Sequence, residues 1–221
     1  MSLFLVAFLG ALLALDSVSV GQTMLSRPLP TGFLIGTLLG DPFVGAQVGA
    51  LLELYLLVVV PAGGGRYPEG SVATAVGVSA AVLAPGLTGL VFGVTGGLVW
   101  GWVAGFSQSV MRRGTDQWVP IPTDTPVTER SIARAQVRGI LVDFVRAFVM
   151  VSVGVLLARI LVPLLVGAWV LPVGWTVGLL VGGGLVSVGV LLRALTQDRR
   201  GDWALVVISA LIGWWAAGGA G

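Results

Sequence analysis

The chain has 221 residues, of which 56% are hydrophobic and 10% charged, where soluble domains carry about 25% charged residues. With a mean hydropathy of +1.01 this is a membrane composition. All 12 basic residues are Arg, and there is no Lys, His or Cys. The formal charge of +2 and the high isoelectric point follow from that small arginine excess. A nucleic-acid binder would show a basic patch amid ordinary polarity, so no nucleic-acid partner is expected. Without Cys or His there is no disulfide, thiol chemistry or soft metal site, and no carboxylate cluster suits a hard cation. Neither a metal, a cofactor nor a catalytic residue is expected.

In chain order, "LFLVAFLGALLAL" is an apolar run of 13 residues ended by Asp16. It lacks the basic start of a cleavable signal peptide and reads as a membrane helix. Asp16, Gln22 and Arg27 then interrupt the apolar sequence, with Arg27 either partnering Asp16 or anchoring at the interface. Residues 28–40, 42–52 and 54–65 are three further uncharged runs, divided by Asp41 and Glu53. None of them alone crosses about 30 Å of hydrocarbon. Either helices continue through the acidic residues or segments enter and leave on one side, and both need shielding by protein or a watery cavity.

Asp41-Pro42 has the form of a helix N-cap followed by proline at the first helical position. Glu53 lies in the helix that Pro42 starts, behind Ala46, Gly49 and Ala50, a smooth face against which a helix or a sugar could lie. An intramembrane carboxylate is a functional candidate by default. "PAGGG" permits an irregular loop, and Arg66, Tyr67 and Glu69 follow it.

Residues 70–111 carry no charge, and "APG" at Ala84 to Gly86 predicts a hairpin of two helices. Arg112 and Arg113 open a polar segment that reaches Arg146. Its arginines place it in the cytoplasm by the positive-inside tendency. Within it, residues 114–126 ("GTDQWVPIPTDTP") read as loop, and from Thr125 the pattern changes, with Thr125 as N-cap and Pro126 at the first position of a helix. That helix sets Ile132, Val137, Ile140, Leu141, Phe144 and Val145 against Arg130, Arg134 and Arg138. It is either an interfacial helix or a docking surface for a soluble partner. The apolar sequence from Phe144 to Leu192, broken by "GAWVLPVG", predicts a second hairpin, and Trp203 to Gly221 a last, short span.

Three regions result: an N-terminal membrane region with a polar site and broken or re-entrant helices (1–111), a cytoplasmic loop and amphipathic helix (112–146), and C-terminal membrane helices (147–221). The fold expected is all-α and polytopic, with about six to eight spanning or re-entrant segments. Glycines at 32, 36 and 40, at 93, 97, 101 and 105, and at 174, 178 and 182 recur every fourth residue, which lets helix backbones approach closely. From the residues alone, the buried polar site of the first third fits either sugar hydroxyls or a cation.

The stretch "LDSVSVGQTMLSRPLPTGFLIGTLLGDPFVGAQVGALLELYLL" resembles the N-terminal signature of the IIC subunits of the mannose/fructose/sorbose class of the bacterial sugar phosphotransferase system. Asp16, Arg27-Pro28, Gly40-Asp41, Gly45 and Glu53-Leu54 carry the resemblance, and Gly63 to Gly65 before Glu69 resembles the glycine-rich loop that follows; "RYPEG" departs from the usual run there. The resemblance implies a multi-pass transport subunit of the bacterial cytoplasmic (inner) membrane, partnered by a IID membrane subunit and soluble IIA and IIB components, and a homo-oligomer within the complex. It implies that a hexose or ketose is bound here and phosphorylated by IIB. Having no histidine, this chain is not itself a phosphohistidine carrier. Sugar recognition is carried over to Glu53 first, then to Asp16, Asp41 and Glu69, with Gln22 and Arg27 beside them. A secondary transporter or permease subunit for a small polar solute, and a structural membrane subunit without a site, are the alternative readings.

Overall fold

The computed structural model describes residues 3–17, 19–57, 66–118, 128–168 and 172–196. Seven α-helices and one short 3-10 turn occupy them, with no strand among the described residues. The helices are α1 (Leu3–Asp16), α2 (Pro28–Leu39), α3 (Pro42–Leu56), α4 (Gly70–Ala81), α5 (Gly86–Thr115), α6 (Glu129–Ala168) and α7 (Val173–Thr196). This is the all-α membrane architecture expected. Two helices, α5 and α6, are long and apolar enough to cross a bilayer, and α1 to α4 are short apolar helices.

The short helices explain the short apolar runs. Asp41 does not sit inside a continuous helix but stops one and starts another. Gly40 closes α2 in the left-handed conformation at φ 86°, which glycine adopts without steric cost. The Asp41 carboxylate then accepts the Val44 N–H at 3.0 Å, with Pro42 at the first helical position of α3. The resulting α2–α3 hairpin is interlocked through glycine. A Cβ built on Gly36 would lie 2.7 Å from the Gly45 Cα, and one on Gly32 would lie 2.8 Å from the Gly49 Cα. The smooth face behind Glu53 is thus taken by a helix, α2.

Gly36→Ala is accordingly expected to force the two backbones apart and to cost about 1–3 kcal/mol, the usual range for overpacking. A thermal-unfolding comparison in detergent checks this. An unchanged midpoint would show that the hairpin is looser than its geometry.

Helix α4 is the hub. It packs on α1, α2, α3, α5 and α6, and every residue from Ser71 to Ala81 is buried. A helix so enclosed must be small and apolar on all sides, which Gly, Ala, Ser and Val supply. The turn from α4 into α5 falls on 82–85, at the predicted "APG", and the stripe Gly93, Gly97, Gly101, Gly105 faces α4 and the strand of chain leading into it. A Cβ on Gly97 would lie 2.7 Å from the Ala73 carbonyl. The third glycine stripe behaves differently: Gly178 meets nothing within 4 Å, and the close approach on α7 falls at Gly183, against the Tyr55 ring of α3.

Helix α6 runs unbroken through 40 residues with Pro163 inside it. At 1.5 Å per residue it is about 60 Å long, twice a hydrocarbon core. No break separates its arginine-rich start from the apolar continuation after Arg146. Phe144 and Phe148 meet Phe8 and Phe4 of α1 edge to face, while Val145, Ile160 and Leu164 stay exposed, as lipid-facing side chains do. The proposed N-cap Thr125, the Trp169 turn residue, Arg199, Arg200 and the final span from Trp203 lie outside the described residues.

Candidate functional site

The C-terminus of α1, the N-terminus of α2, the C-terminus of α3 and the N-terminus of α4 converge on one cavity of about 430 Å³. Asp16, Gln22, Arg27, Glu53 and Glu69 all line it. Asp41 does not. It lies at the tip of the α2–α3 hairpin, about 18 Å from Glu53, with the eleven residues Pro42 to Leu52 of α3 between them.

Asp16 organises the cavity's rim. Its Oδ1 accepts the Thr23 N–H and the Thr23 hydroxyl, each at 2.7 Å, and its Oδ2 accepts the Ser26 N–H at 3.0 Å. The loop so gathered is strained: Gln22 and Met24 both hold left-handed backbone, at φ 53° and 67°. Such conformations cost of order 1–2 kcal/mol each for side-chain-bearing residues and persist where the surroundings enforce them. Gln22 is exposed at the rim, and its carboxamide has no hydrogen-bond partner among the described residues.

Glu53 faces the start of α2. One carboxylate oxygen pairs with the Arg27 guanidinium, and the other accepts the Leu29 N–H at 3.2 Å. Arg27 is therefore the partner of Glu53 rather than of Asp16. Glu53 also supplies the side-chain cap that Arg27, at the N-cap position of α2, cannot provide. Each oxygen keeps a further lone pair for a ligand.

Glu69 is buried and engaged from behind. Arg146 of α6 donates from Nη1 to one Glu69 oxygen and from Nη2 to the other, both at 2.8 Å. The same guanidinium bonds Asp143 Oδ1 through Nε at 3.1 Å and Nη2 at 2.8 Å, and reaches the Ser107 hydroxyl of α5 at 3.2 Å. Asp143 Oδ2 accepts the Ser19 hydroxyl at 2.8 Å. One arginine thus ties the loop after α1, the entry to α4, α5 and α6 together behind the cavity wall. Arg66, by contrast, lies over the Phe106 ring at 5.3 Å and does not line the cavity.

Sequence reasoning read Arg146 as the end of the polar segment and missed its bonds to Glu69 and to Asp143. The i, i+3 spacing of Asp143 and Arg146 puts opposite charges on one helix face between apolar residues, which was the available signal. It also missed Ser71. That residue lines the cavity at the first turn of α4, and its buried hydroxyl has no partner. Tyr67 closes one side of the cavity; its hydroxyl accepts from Arg112 at 2.7 Å.

A polar cavity at the meeting of short helix ends, within an all-helical membrane bundle, is an arrangement that suits a membrane transport subunit. The chain matches the family of the sorbose-specific IIC component of the phosphotransferase system over residues 1–208 and belongs to that family. It is a phosphotransferase-system sugar-transport subunit, a membrane component that works with the other components of such a system. The comparison with curated proteins gives no match.

Proposed function

We propose that the 430 Å³ cavity is the sugar site, that its solute is a hexose or ketose, and that IIB phosphorylates this sugar in a complex that includes a IID membrane subunit. The observation that carries this reading is the convergence of five polar side chains, from segments far apart in sequence, on one space among apolar helices. Carboxylates and amides suit sugar hydroxyls, which both donate and accept. Gln22 offers a free carboxamide, Glu53 two remaining acceptor positions, Arg27 further N–H donors and Ser71 an unpaired hydroxyl. Asp16 and Arg146 position this set: Asp16 holds the rim loop, and Arg146 fixes both oxygens of Glu69. The chain is read as multi-pass in the cytoplasmic membrane of a bacterium, with the arginines from 112 to 138 on the cytoplasmic side.

The absence of cysteine makes a labelling test clean. Ser26→Cys, in the cavity wall, is expected to react with a small maleimide, and a transported hexose or ketose is expected to slow the reaction several-fold. A panel of both sugar types, run on the purified chain with its co-purifying membrane subunit, identifies the substrate. A labelling rate indifferent to every sugar of the panel, at concentrations that saturate uptake, would contradict the assignment.

A further inference from the structure

A second cavity, of about 240 Å³, adjoins the first and shares Tyr67 with it. The chemistry of its wall is the opposite. Arg112, Arg113, Gln108 and Ser109 line it, with Asp116 as its one acidic residue. Arg112 gives one N–H to the Tyr67 hydroxyl and stacks over that ring at 5.7 Å. Its other N–H groups, and all those of Arg113, have no partner among the described residues, Asp116 included. The Ser109 hydroxyl donates to the Phe106 carbonyl at 2.7 Å. Gln108 is 3% exposed as a whole residue, and its carboxamide, which makes no hydrogen bond among the described residues, opens on the cavity; the one buried side-chain polar atom without a partner among the described residues is the Ser71 hydroxyl of the first cavity.

Basic residues in the last turn of α5 are stabilised by the helix dipole and need no ligand to explain them. The Gln108 carboxamide, unpaired and opening on this cavity, is not explained that way. Its N–H and C=O groups are open to a ligand there, and the Arg113 guanidinium with the remaining N–H groups of Arg112 supplies the forked donors that match a phosphate.

We propose that this second cavity binds the phosphate of a sugar phosphate monoester, the product of the phosphorylation that the sugar-site reading assigns to the complex, and the inference rests on that reading. The two cavities together give the exchange a direction. The first presents Asp16 and Glu53 against Arg27, with Glu69 neutralised by Arg146, and so accommodates a neutral sugar but repels a group carrying about 1.5 to 2 negative charges. The second presents two arginines against Asp116 and accepts that group. Tyr67, held by Arg112, is the wall between them. A sugar that acquires a phosphate thereby changes from a ligand of the acidic cavity to a ligand of the basic one, which lies toward the arginine-rich end of α5.

The test uses the full chain with its co-purifying membrane subunit in a neutral detergent, titrated with fructose 6-phosphate and, separately, with free fructose. Gln108→Leu combined with Arg113→Gln leaves the Arg112–Tyr67 contact intact and removes no hydrogen bond among the described residues, so the unfolding midpoint should hold. Binding of fructose 6-phosphate is expected to weaken about tenfold or more in this double variant, the loss usual for a charge-assisted bond, with free-sugar binding unchanged. Glu53→Gln is expected to show the converse. Ester binding that is lost in the double variant while no free sugar binds to any form would support the basic cavity and overturn the sugar site. Three outcomes overturn the inference itself: no ester binding to the unaltered chain, equal ester affinity in the double variant, or equal affinity for inorganic phosphate. Nanodiscs with and without phosphatidylglycerol separate the remaining source of phosphate. Ester binding abolished by that lipid alone would identify a headgroup site and overturn the sugar ester as its ligand.

Discussion

Arg146→Met is expected to remove most of the folded protein. The Arg146 side chain is 9% exposed and those of Glu69 and Asp143 3% each, and one guanidinium serves both carboxylates. Deleting it leaves two buried negative charges without a counterion. Breaking one buried pair costs about 3–5 kcal/mol, a large share of the roughly 5–15 kcal/mol that holds a domain folded. Arg146→Lys should recover little, because an ammonium cannot present the parallel N–H pair that takes both Glu69 oxygens while it also reaches Asp143. The triple variant Arg146→Met, Glu69→Gln, Asp143→Asn should recover more, since it removes the uncompensated charges along with their partner. Monodisperse yield and unfolding midpoint, measured on all three preparations, check the series. A single Arg146→Met protein with normal yield and midpoint would mean that the network is not the fastening its geometry describes.

Much of the first third was legible because its signals are local. Asp41-Pro42 after Gly40 could be read as a stop and a start, and the structure shows both, the left-handed Gly40 and the Asp41 cap. The charged residues among apolar runs marked polar positions, and five of the six named residues line one cavity because they lie at helix ends that meet. Asp41 shares their chemistry but not their place, since the length of α3 intervenes. Pairings between distant segments were not legible. Glu69 with Arg146 spans 77 residues and Ser19 with Asp143 spans 124, and nothing local distinguishes a membrane-entry arginine from one turned into a bundle. The role of Gly183 was hidden for a similar reason: its seat for Tyr55 depends on how α7 meets α3, and the regular stripe of its neighbours drew attention to the wrong face.

Glu53→Gln is expected to lower sugar affinity about ten- to over a hundred-fold, the worth of a charge-assisted hydrogen bond of roughly 1.5 to 3 kcal/mol. The structure gives this carboxylate two protein partners, Arg27 and the Leu29 N–H, which makes a purely structural role the competing explanation. Magnitudes separate the two. The Arg27 side chain is 46% exposed, so the ion pair is worth about 0–1 kcal/mol after solvent screening. Glutamine keeps the shape and one acceptor for the start of α2. Folding should therefore change little while binding changes much.

The decisive measurement is a sugar titration and an unfolding curve on the same Glu53→Gln preparation, beside the unaltered chain, with the membrane subunit that co-purifies. The account predicts an unfolding midpoint close to that of the unaltered chain and an affinity for the transported hexose or ketose weaker by at least about tenfold. A lowered midpoint with normal affinity in the surviving fraction would contradict it, and would leave Glu53 as the cap of α2 and the counterion of Arg27 alone.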